Sequence, residues 1–231
     1  MTALIVTSTP TSARARRACA MFGVRVRHND RRSLASLRPA AAAARNIDRS
    51  LLPGHIAFIT GPSGGGKSTI LRALAHRLER ARAPMTHADP AMLPADPRPI
   101  VDLFDASLSR TLRLLARAGL ADATILPLRA QELSDGQRMR LALSLALARA
   151  ARDATSARPA TVLADEFASS LDPATAACVA ASVARWIRRS AGVRFVCAAA
   201  RDDVLEPLAP HLLVHQPMLG PPTILARKPV K

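Results

Sequence analysis

The chain has 231 residues, of which 49% are hydrophobic, and it carries a formal net charge of +16 at pH 7. This length suits a single domain with a substantial core, and the apolar fraction excludes an intrinsically disordered chain. No apolar run approaches the roughly 18 residues that a transmembrane helix needs, so we expect no membrane span.

The basic charge is ordinarily a sign of a partner that is nucleic acid or anionic membrane. Here three of the 33 basic residues are lysine and the others are arginine, a composition that GC-rich coding also produces. Nucleic-acid binding therefore stays an alternative that the sequence does not favour. The three cysteines fit no metal spacing, and no signal peptide is evident, which predicts a reducing, cytoplasmic location. We expect Cys178 and Cys197 to be buried.

Residues 1–18 are polar and rich in arginine and predict a loose basic extension, although the acid-free start also resembles an organelle transit peptide. Alternating apolar and basic residues within 19–28 predict an edge strand. Residues 29–50 show no regular pattern. Pro53 and Gly54 then predict a turn that leads into an apolar strand at 55–60.

Residues 61–69 match G-x-x-x-x-G-K-[ST] at every fixed position, between that strand and a helical pattern that extends to about residue 82. This is the context of a phosphate-binding loop, whose amides and helix N-terminus hold phosphate oxygens. Lys67 would reach the β- and γ-phosphates of a nucleoside triphosphate, and the Ser68 hydroxyl would ligate Mg²⁺. The candidate nucleotide-binding residues of this loop are Gly61, Pro62, Ser63, Gly64, Gly65, Gly66, Lys67, Ser68 and Thr69.

Prolines crowd residues 84–99, which predicts an irregular loop or insertion, and helical spacing returns over 105–119 with Gly119 as a C-terminal cap. Residues 133–137, Leu-Ser-Asp-Gly-Gln, precede a predicted helix from about 136 to 152. Ser134 and Gln137 have the spacing of a capping box. With Gly136 they are candidates for a second anion site at a helix N-terminus.

The apolar strand predicted at 160–164 ends in two carboxylates, Asp165 and Glu166. A carboxylate at this end of a strand is placed to hold Mg²⁺, and its neighbour to orient or deprotonate an attacking water. Asp172, followed by Pro173, predicts the N-cap of the next helix. A further apolar strand is predicted at 193–199, and residues 223–226 suit either a final edge strand or a frayed tail. Strands separated by such helices predict an α/β fold with a mostly parallel sheet flanked by helices.

In this order and spacing, the chain resembles the nucleotide-binding domain of ABC-type ATPases over roughly residues 50–205. Residues 61–69 resemble the Walker A loop, 133–137 the LSGGQ signature with Asp135 in place of a glycine, 162–166 the Walker B strand with its catalytic glutamate, and 170–172 the D-loop. The resemblance implies a P-loop NTPase fold that binds ATP and Mg²⁺, with a small helical subdomain carrying the signature. It also implies an ATP-dependent homodimer in which Ser134, Gly136 and Gln137 contact the partner's nucleotide, with Asp172 beside them.

Three positions depart from the family pattern. The switch histidine is missing, and Arg201 takes its place as a candidate catalytic residue that contacts phosphate, beside Lys67 and Glu166. The Q-loop glutamine is not evident, and residues 100–103 offer Asp102 instead. No tyrosine is present to stack on adenine, for which Phe22 or His28 would substitute. We therefore expect slow hydrolysis.

We divide the chain into the extension at 1–18 and an ATPase domain at 19–231, in which about 84–152 form a reduced loop and helical subdomain. The short spacing between the motifs favours a non-transport ATPase whose dimerisation acts on a macromolecular partner. The alternative is the ATP-binding subunit of an ABC transporter, which works with a separate membrane subunit. A second alternative is an ATP-gated module associated with nucleic acid.

Overall fold

The computed structural model describes residues 5–6, 12–21, 25–26, 34–155 and 157–227. Contacts between residues divide the chain into two units, Met1–Arg38 and Pro39–Lys231. This division falls later in the chain than the predicted boundary between residues 18 and 19. Phe22 and His28, which we predicted to stack on adenine, lie outside the described residues.

The first unit contains more secondary structure than the sequence predicted. Helix α1 (Ala13–Met21) begins where Ser12 Oγ accepts a hydrogen bond from the Ala15 amide at 3.1 Å. Alanine and arginine are strong helix formers, which explains a helix where we expected a loose extension and the start of a strand. Strand β1 (Ile5–Val6) pairs in parallel with β2 (Arg25–Val26). Strand β2 lies within residues 19–28, where we expected an edge strand, and it is the part of that expected strand that the structure describes.

Helix α2 (Leu34–Ser50) replaces the irregular segment that we expected at 29–50. Pro39 lies inside it, and proline is a poor residue for a helix interior. From Ala40 onward, however, the spacing i, i+3, i+4, i+7 places Ala43, Ala44 and Ile47 in one buried stripe. Burial of this stripe against the sheet therefore outweighs the proline.

The second unit is built on a six-stranded sheet in the order β4-β5-β6-β3-β7-β8. All neighbours pair in parallel except β7 and β8, which are antiparallel. This confirms the predicted fold class. The strands are β3 (Ile56–Thr60), β4 (Met85–His87), β5 (Ala160–Ala164), β6 (Val193–Ala198), β7 (Leu212–His215) and β8 (Thr223–Ala226), and the helices are α3 (Lys67–Arg80), α4 (Leu108–Arg117), α5 (Asp135–Asp153), α6 (Pro173–Arg189) and α7 (Leu205–Leu208).

Both faces of the sheet are covered by helices. Alternate residues of β3 point to opposite faces, so Ile56 and Phe58 join the core beneath α5 and α6, whereas Ala57 and Ile59 join the core beneath α2 and α3. A third apolar cluster joins α4 to the start of α5 and to the short 3₁₀ turns between them. None of the helices in the described ranges combines the length and the apolar composition that crossing a membrane requires.

The order of the strands positions the candidate site. Strand β6 lies between β3, which leads into residues 61–69, and β5, which leads into Asp165 and Glu166. Because neighbouring strands are about 4.8 Å apart, the two loops leave the same edge of the sheet about 10 Å from each other. This separation leaves room for a phosphate chain in the crevice at the carboxyl ends of the strands, where ligands of open α/β sheets bind.

Candidate active site

The phosphate loop (residues 61–69) turns sharply between β3 and α3. Gly61, Gly64 and Gly66 have φ values of +139°, +76° and +107°, a region that side chains disfavour. The Gly65 amide donates to the carbonyl of Pro62 at 3.1 Å and closes the turn. Helix α3 then begins at Lys67 with no acid in its first turn, so its amides present an unneutralised partial positive charge.

One glycine of the loop is required by a close backbone approach. A Cβ on Gly61 would lie less than 3.0 Å from the carbonyl oxygen of Gln216, the residue that follows β7. Gln216 is in turn fixed because its amide donates to the carbonyl of Thr60 at 2.8 Å. The start of the phosphate loop is therefore packed against the backbone that follows the neighbouring strand, a contact that the sequence analysis did not predict.

Lys67 is the charged residue of the loop, and it is buried, with 4% of its surface exposed. Its ammonium donates to the carbonyls of Gly61 at 2.9 Å and Pro62 at 3.0 Å. An ammonium has three N–H donors, so one remains for an anion on the loop. Ser68, the next residue, is half-buried at the first turn of α3.

The acidic pair (Asp165 and Glu166) follows β5, and both side chains are exposed. Asp165 Oδ1 accepts a hydrogen bond from the Glu166 amide at 3.1 Å. Glu166 has φ +48° and Ala168 has φ +59°. Left-handed backbone in residues other than glycine is strained, and such strain concentrates at functional sites.

The signature segment (residues 133–137) has the predicted capping box at the start of α5. The Ser134 amide donates to Gln137 Oε1 at 2.9 Å, and the Gln137 amide donates to Ser134 Oγ at 3.4 Å. A Cβ on Gly136 would lie 3.1 Å from Leu171 Cδ2 and 3.3 Å from the Ser170 carbonyl oxygen. The signature segment therefore packs against the D-loop segment (residues 170–172) of the same chain.

Asp172 caps α6 as predicted. Its Oδ1 accepts a hydrogen bond from the Thr175 amide at 2.9 Å. Hydrogen bonds from the Thr175 side chain and then from its amide lower the pKa of this carboxyl below its ordinary value. The cap therefore stays ionised at neutral pH and stabilises the N-terminus of α6.

Arg201 lies on the D-loop side of the site. Its guanidinium donates to the carbonyls of Ala168 and Leu171, both at 2.8 Å, and to both carboxylate oxygens of Asp203. Four of its five N–H groups are used in these bonds. The phosphate contact that the sequence suggested for Arg201 stays a prediction, which this placement does not favour.

Known proteins resemble this chain in sequence and in fold. A family model described as ABC transporter matches residues 44–153. The chain is 28% identical over 206 residues to the phosphonates import ATP-binding protein PhnC of Hyphomonas neptunium, covering 70% of this chain and 72% of that protein. It is 36% identical over 159 residues to the aliphatic sulfonates import ATP-binding protein SsuB 1 of Xanthomonas axonopodis pv. citri, covering 57% and 58%. Residues 44–153 of this chain belong to an ABC ATPase domain.

Solved structures show the same fold. The dimeric structure of MJ0796, a bacterial ABC transporter cassette, has a TM-score of 0.55 at 19% identity and covers 73% of this chain and 84% of its own. The same cassette in a post-hydrolysis state, bound to ADP and Pi, has a TM-score of 0.53 at 18% identity and covers 72% and 83%. The chain spans 58% of SsuB 1 and also 58% of the methionine import ATP-binding protein MetN of Thermobifida fusca, to which it is 30% identical.

The assignment of Asp102 to the Q-loop position stays a prediction. Asp102 lies exposed in a 3₁₀ helix (Ile100–Leu103). Strand β4 borders the Walker B strand β5 and ends at His87. The amide of the next residue, Ala88, donates to the Leu163 carbonyl at 2.8 Å. Asp89 follows and accepts a hydrogen bond from the Ala91 amide at 2.8 Å.

The signal for β4 was present in the sequence but was obscured by proline. Met85, Thr86 and His87 stand between Pro84 and Pro90, and we read the whole segment as loop. Proline is tolerated next to an edge strand, and β4 is an edge strand three residues long. The segment therefore contributes to the sheet beside Walker B.

Cysteine burial was predicted correctly at one of two positions. Cys197 is buried in β6, and this burial raises the pKa of its thiol well above the ordinary value. Cys178 is exposed on α6, because the buried face of that helix passes through Val179 and Val183 instead.

Proposed function

We propose that this chain is the ATP-binding subunit of an ABC import transporter. The observation that carries the proposal is that the relatives named above are import ATP-binding proteins, for phosphonates, aliphatic sulfonates and methionine. The sequence alone favoured a non-transport ATPase on the ground of short spacing between motifs. The relatives favour the transporter alternative, and a cytoplasmic location beside a separate membrane subunit follows from it.

In this proposal the phosphate loop binds the triphosphate of ATP. The amides that face outward from residues 61–69 and the N-terminus of α3 would hold the phosphate oxygens. The Lys67 ammonium, already fixed on two carbonyls, would place its remaining N–H toward the β- and γ-phosphates. Because its position is set before ATP arrives, little side-chain entropy would be lost on binding.

The side chains of Ser68 and Asp165 offer oxygen atoms that suit Mg²⁺, and they would be its protein ligands. Within the described ranges, no group of three or more His, Cys, Asp or Glu side chains is placed to hold a metal. Mg²⁺ suits such a site because it is commonly held by one or two protein oxygens together with substrate phosphates and water. When bound, Mg²⁺ would neutralise the negative charge that develops on the phosphate oxygens during hydrolysis.

Glu166 is the proposed general base. Its carboxylate is exposed at the edge of the sheet, two strands away from the strand that leads into the phosphate loop. From there it would orient a water molecule in line with the γ-phosphate and accept a proton from that water as the bond to phosphorus forms. The strained backbone at Glu166 is consistent with a carboxylate held in place for this task.

The proposed active form is a homodimer that encloses ATP between two chains. Ser134, Gly136 and Gln137 of one chain would face the nucleotide held by the phosphate loop of the other, with Asp172 close by. The signature segment is exposed at Ser134, which leaves its hydroxyl accessible to a second chain. The likeness to a cassette solved as a dimer supports this arrangement.

A purification from the source organism tests the transporter proposal. The tagged chain would be isolated from detergent-solubilised membranes, with Lys67→Ala beside it as a variant that lacks the ammonium. We expect a polytopic membrane protein in constant stoichiometry with the chain, and ATP hydrolysis that depends on Lys67. Recovery of active enzyme from the membrane-free fraction alone would favour the non-transport reading instead.

A further inference from the structure

A segment of three residues after β6 (residues 201–203) connects the acidic pair to the phosphate loop. Arg201 is mostly buried, with 23% of its side chain exposed. One terminal nitrogen of its guanidinium bridges the carbonyls of Ala168 and Leu171, both at 2.8 Å. The other edge binds the Asp203 carboxylate, with Nε at 2.6 Å from Oδ1. These bonds orient the planar guanidinium in a single plane across the turn.

The turn that Arg201 holds is the one that carries Glu166. Glu166 and Ala168 both have left-handed backbone, which persists only where surrounding contacts over-determine it. On the strand side, the Phe167 amide donates to the carbonyl of Ala198 at 2.8 Å. On the helix side, Arg201 is the side chain that binds the carbonyls of the turn. Removing its bonds leaves the turn held by the Phe167 amide and by the burial of Phe167, Ala168 and Leu171, without a side chain that fixes its carbonyls.

The same segment is bound to the start of the phosphate loop. Thr60, the last residue of β3, donates from Oγ1 to Asp202 Oδ1 at 2.8 Å. Asp202 therefore fixes the backbone between Arg201 and Asp203 relative to β3. The hydrogen bonds of three consecutive side chains thus set the distance between the acidic pair and the phosphate loop.

We propose that Arg201 is a positioning residue that holds Glu166 in place relative to the phosphate loop, rather than a residue that contacts phosphate. This inference rests on the proposed function, in which Glu166 acts on the attacking water. It requires the shape of the guanidinium and not its charge alone. An ammonium at the same position keeps the charge but lacks the planar fork that bridges two carbonyls and a carboxylate.

The test compares Arg201→Lys, Arg201→Ala and Asp203→Asn with Arg185→Ala, which removes an exposed arginine from α6. For each variant we would measure kcat, KM for ATP, affinity for a non-hydrolysable ATP analogue and unfolding by urea. Hydrogen exchange of the amides of Phe167, Ser169 and Leu171, which bond within or beside the turn, reports on its order without any need for turnover.

Positioning predicts that Arg201→Lys is as defective as Arg201→Ala. We expect kcat to fall roughly 10–100-fold in both, because a displacement of about 1 Å at a reacting group can cost this much. Affinity for the analogue should change less than about twofold, and Asp203→Asn should show an intermediate fall in kcat. Arg185→Ala should match the wild type.

Two results would overturn the proposal. Near-normal kcat in Arg201→Lys together with weakened analogue binding in Arg201→Ala would assign a phosphate contact to the charge. If the wild-type protein hydrolyses no ATP, the proposed function fails by itself, and hydrogen exchange still decides the role of Arg201. Exchange in the turn that is at least about tenfold faster in Arg201→Lys supports positioning, whereas unchanged exchange rejects it.

Discussion

Replacing Gly61 with alanine tests the packing of the phosphate loop against the backbone that follows β7. The new Cβ would collide with the Gln216 carbonyl, whereas at Gly64 a Cβ would meet no atom within 4 Å. Both residues have positive φ, at +139° and +76°, so both substitutions strain the backbone. Gly64→Ala is therefore a matched control that has the strain without the collision.

The structure gives a magnitude for each substitution. A residue other than glycine in such a region costs about 1–3 kcal/mol of stability, and at Gly64 this strain is the whole cost. At Gly61 the displaced carbonyl belongs to Gln216, whose amide bonds Thr60 at 2.8 Å. Disturbing a buried backbone hydrogen bond adds about 1–3 kcal/mol. We expect losses of about 1–3 kcal/mol for Gly64→Ala and about 2–6 kcal/mol for Gly61→Ala, with the larger loss at Gly61.

Urea unfolding without nucleotide measures both losses as shifts in the transition midpoint. The dependence of the free energy of unfolding on urea should stay the same, since neither change alters the area exposed on unfolding. Equal losses for the two variants, within about 0.5 kcal/mol, would refute the reasoning. The contact between the phosphate loop and Gln216 would then carry no energetic weight.

Three further predictions concern other parts of the fold. Arg194 is 8% exposed, and its guanidinium lies 3.3 Å from the Asp48 carboxylate. Asp48→Ala removes the carboxylate that pairs with this buried arginine, so we expect stability to fall by about 2–4 kcal/mol in urea unfolding. A loss below about 1 kcal/mol would contradict a buried pair. Burial, the neighbouring histidine ring and two arginines lower the pKa of His211 to about 4 from an ordinary 6.5. The unfolded chain therefore binds the extra proton first, and stability that is complete above pH 6.5 should fall by about 1–2 kcal/mol between pH 6.5 and 4, a dependence that His211→Asn should flatten. A thiol reagent should label exposed Cys178 within minutes and buried Cys197 after unfolding, and rapid labelling of Cys197 in the native protein would show that β6 is accessible.

The sequence predicted the parts of the fold whose signals are local. The strands at 55–60, 160–164 and 193–199 and the helices after the phosphate loop and after the signature segment lie within a few residues of the observed β3, β5, β6, α3 and α5. Capping residues such as Ser134 and Asp172 were identified because a cap is decided by neighbours within three positions.

Elements whose formation depends on distant contacts were missed. Helix α2 is held by burial against the sheet, against the preference of Pro39. Strand β7 pairs with β3 from more than a hundred residues away, and no periodicity in its four residues identifies it. Strand β4 is short and flanked by prolines. In each case the tertiary contact decides the conformation and local propensity does not.

The candidate site divides in the same way. The types and order of its residues follow from motifs, so the phosphate loop, the acidic pair and the signature segment could be named from sequence. The contacts of Gln216 and the hydrogen bonds of Arg201 depend on which backbone atoms come together in three dimensions. The sequence could identify Arg201 as a replacement for a histidine but could not indicate which atoms its guanidinium binds.

The most direct test of the account is ATP hydrolysis by the purified protein with Mg²⁺, wild type beside Glu166→Gln, with the oligomeric state recorded in the same samples. The account predicts slow turnover, below about 1 s⁻¹, that Glu166→Gln abolishes. It also predicts a dimer that ATP stabilises in the variant, because ATP is bound but not consumed. Turnover that Glu166→Gln leaves unchanged, or ATP binding with neither hydrolysis nor dimer, would contradict it.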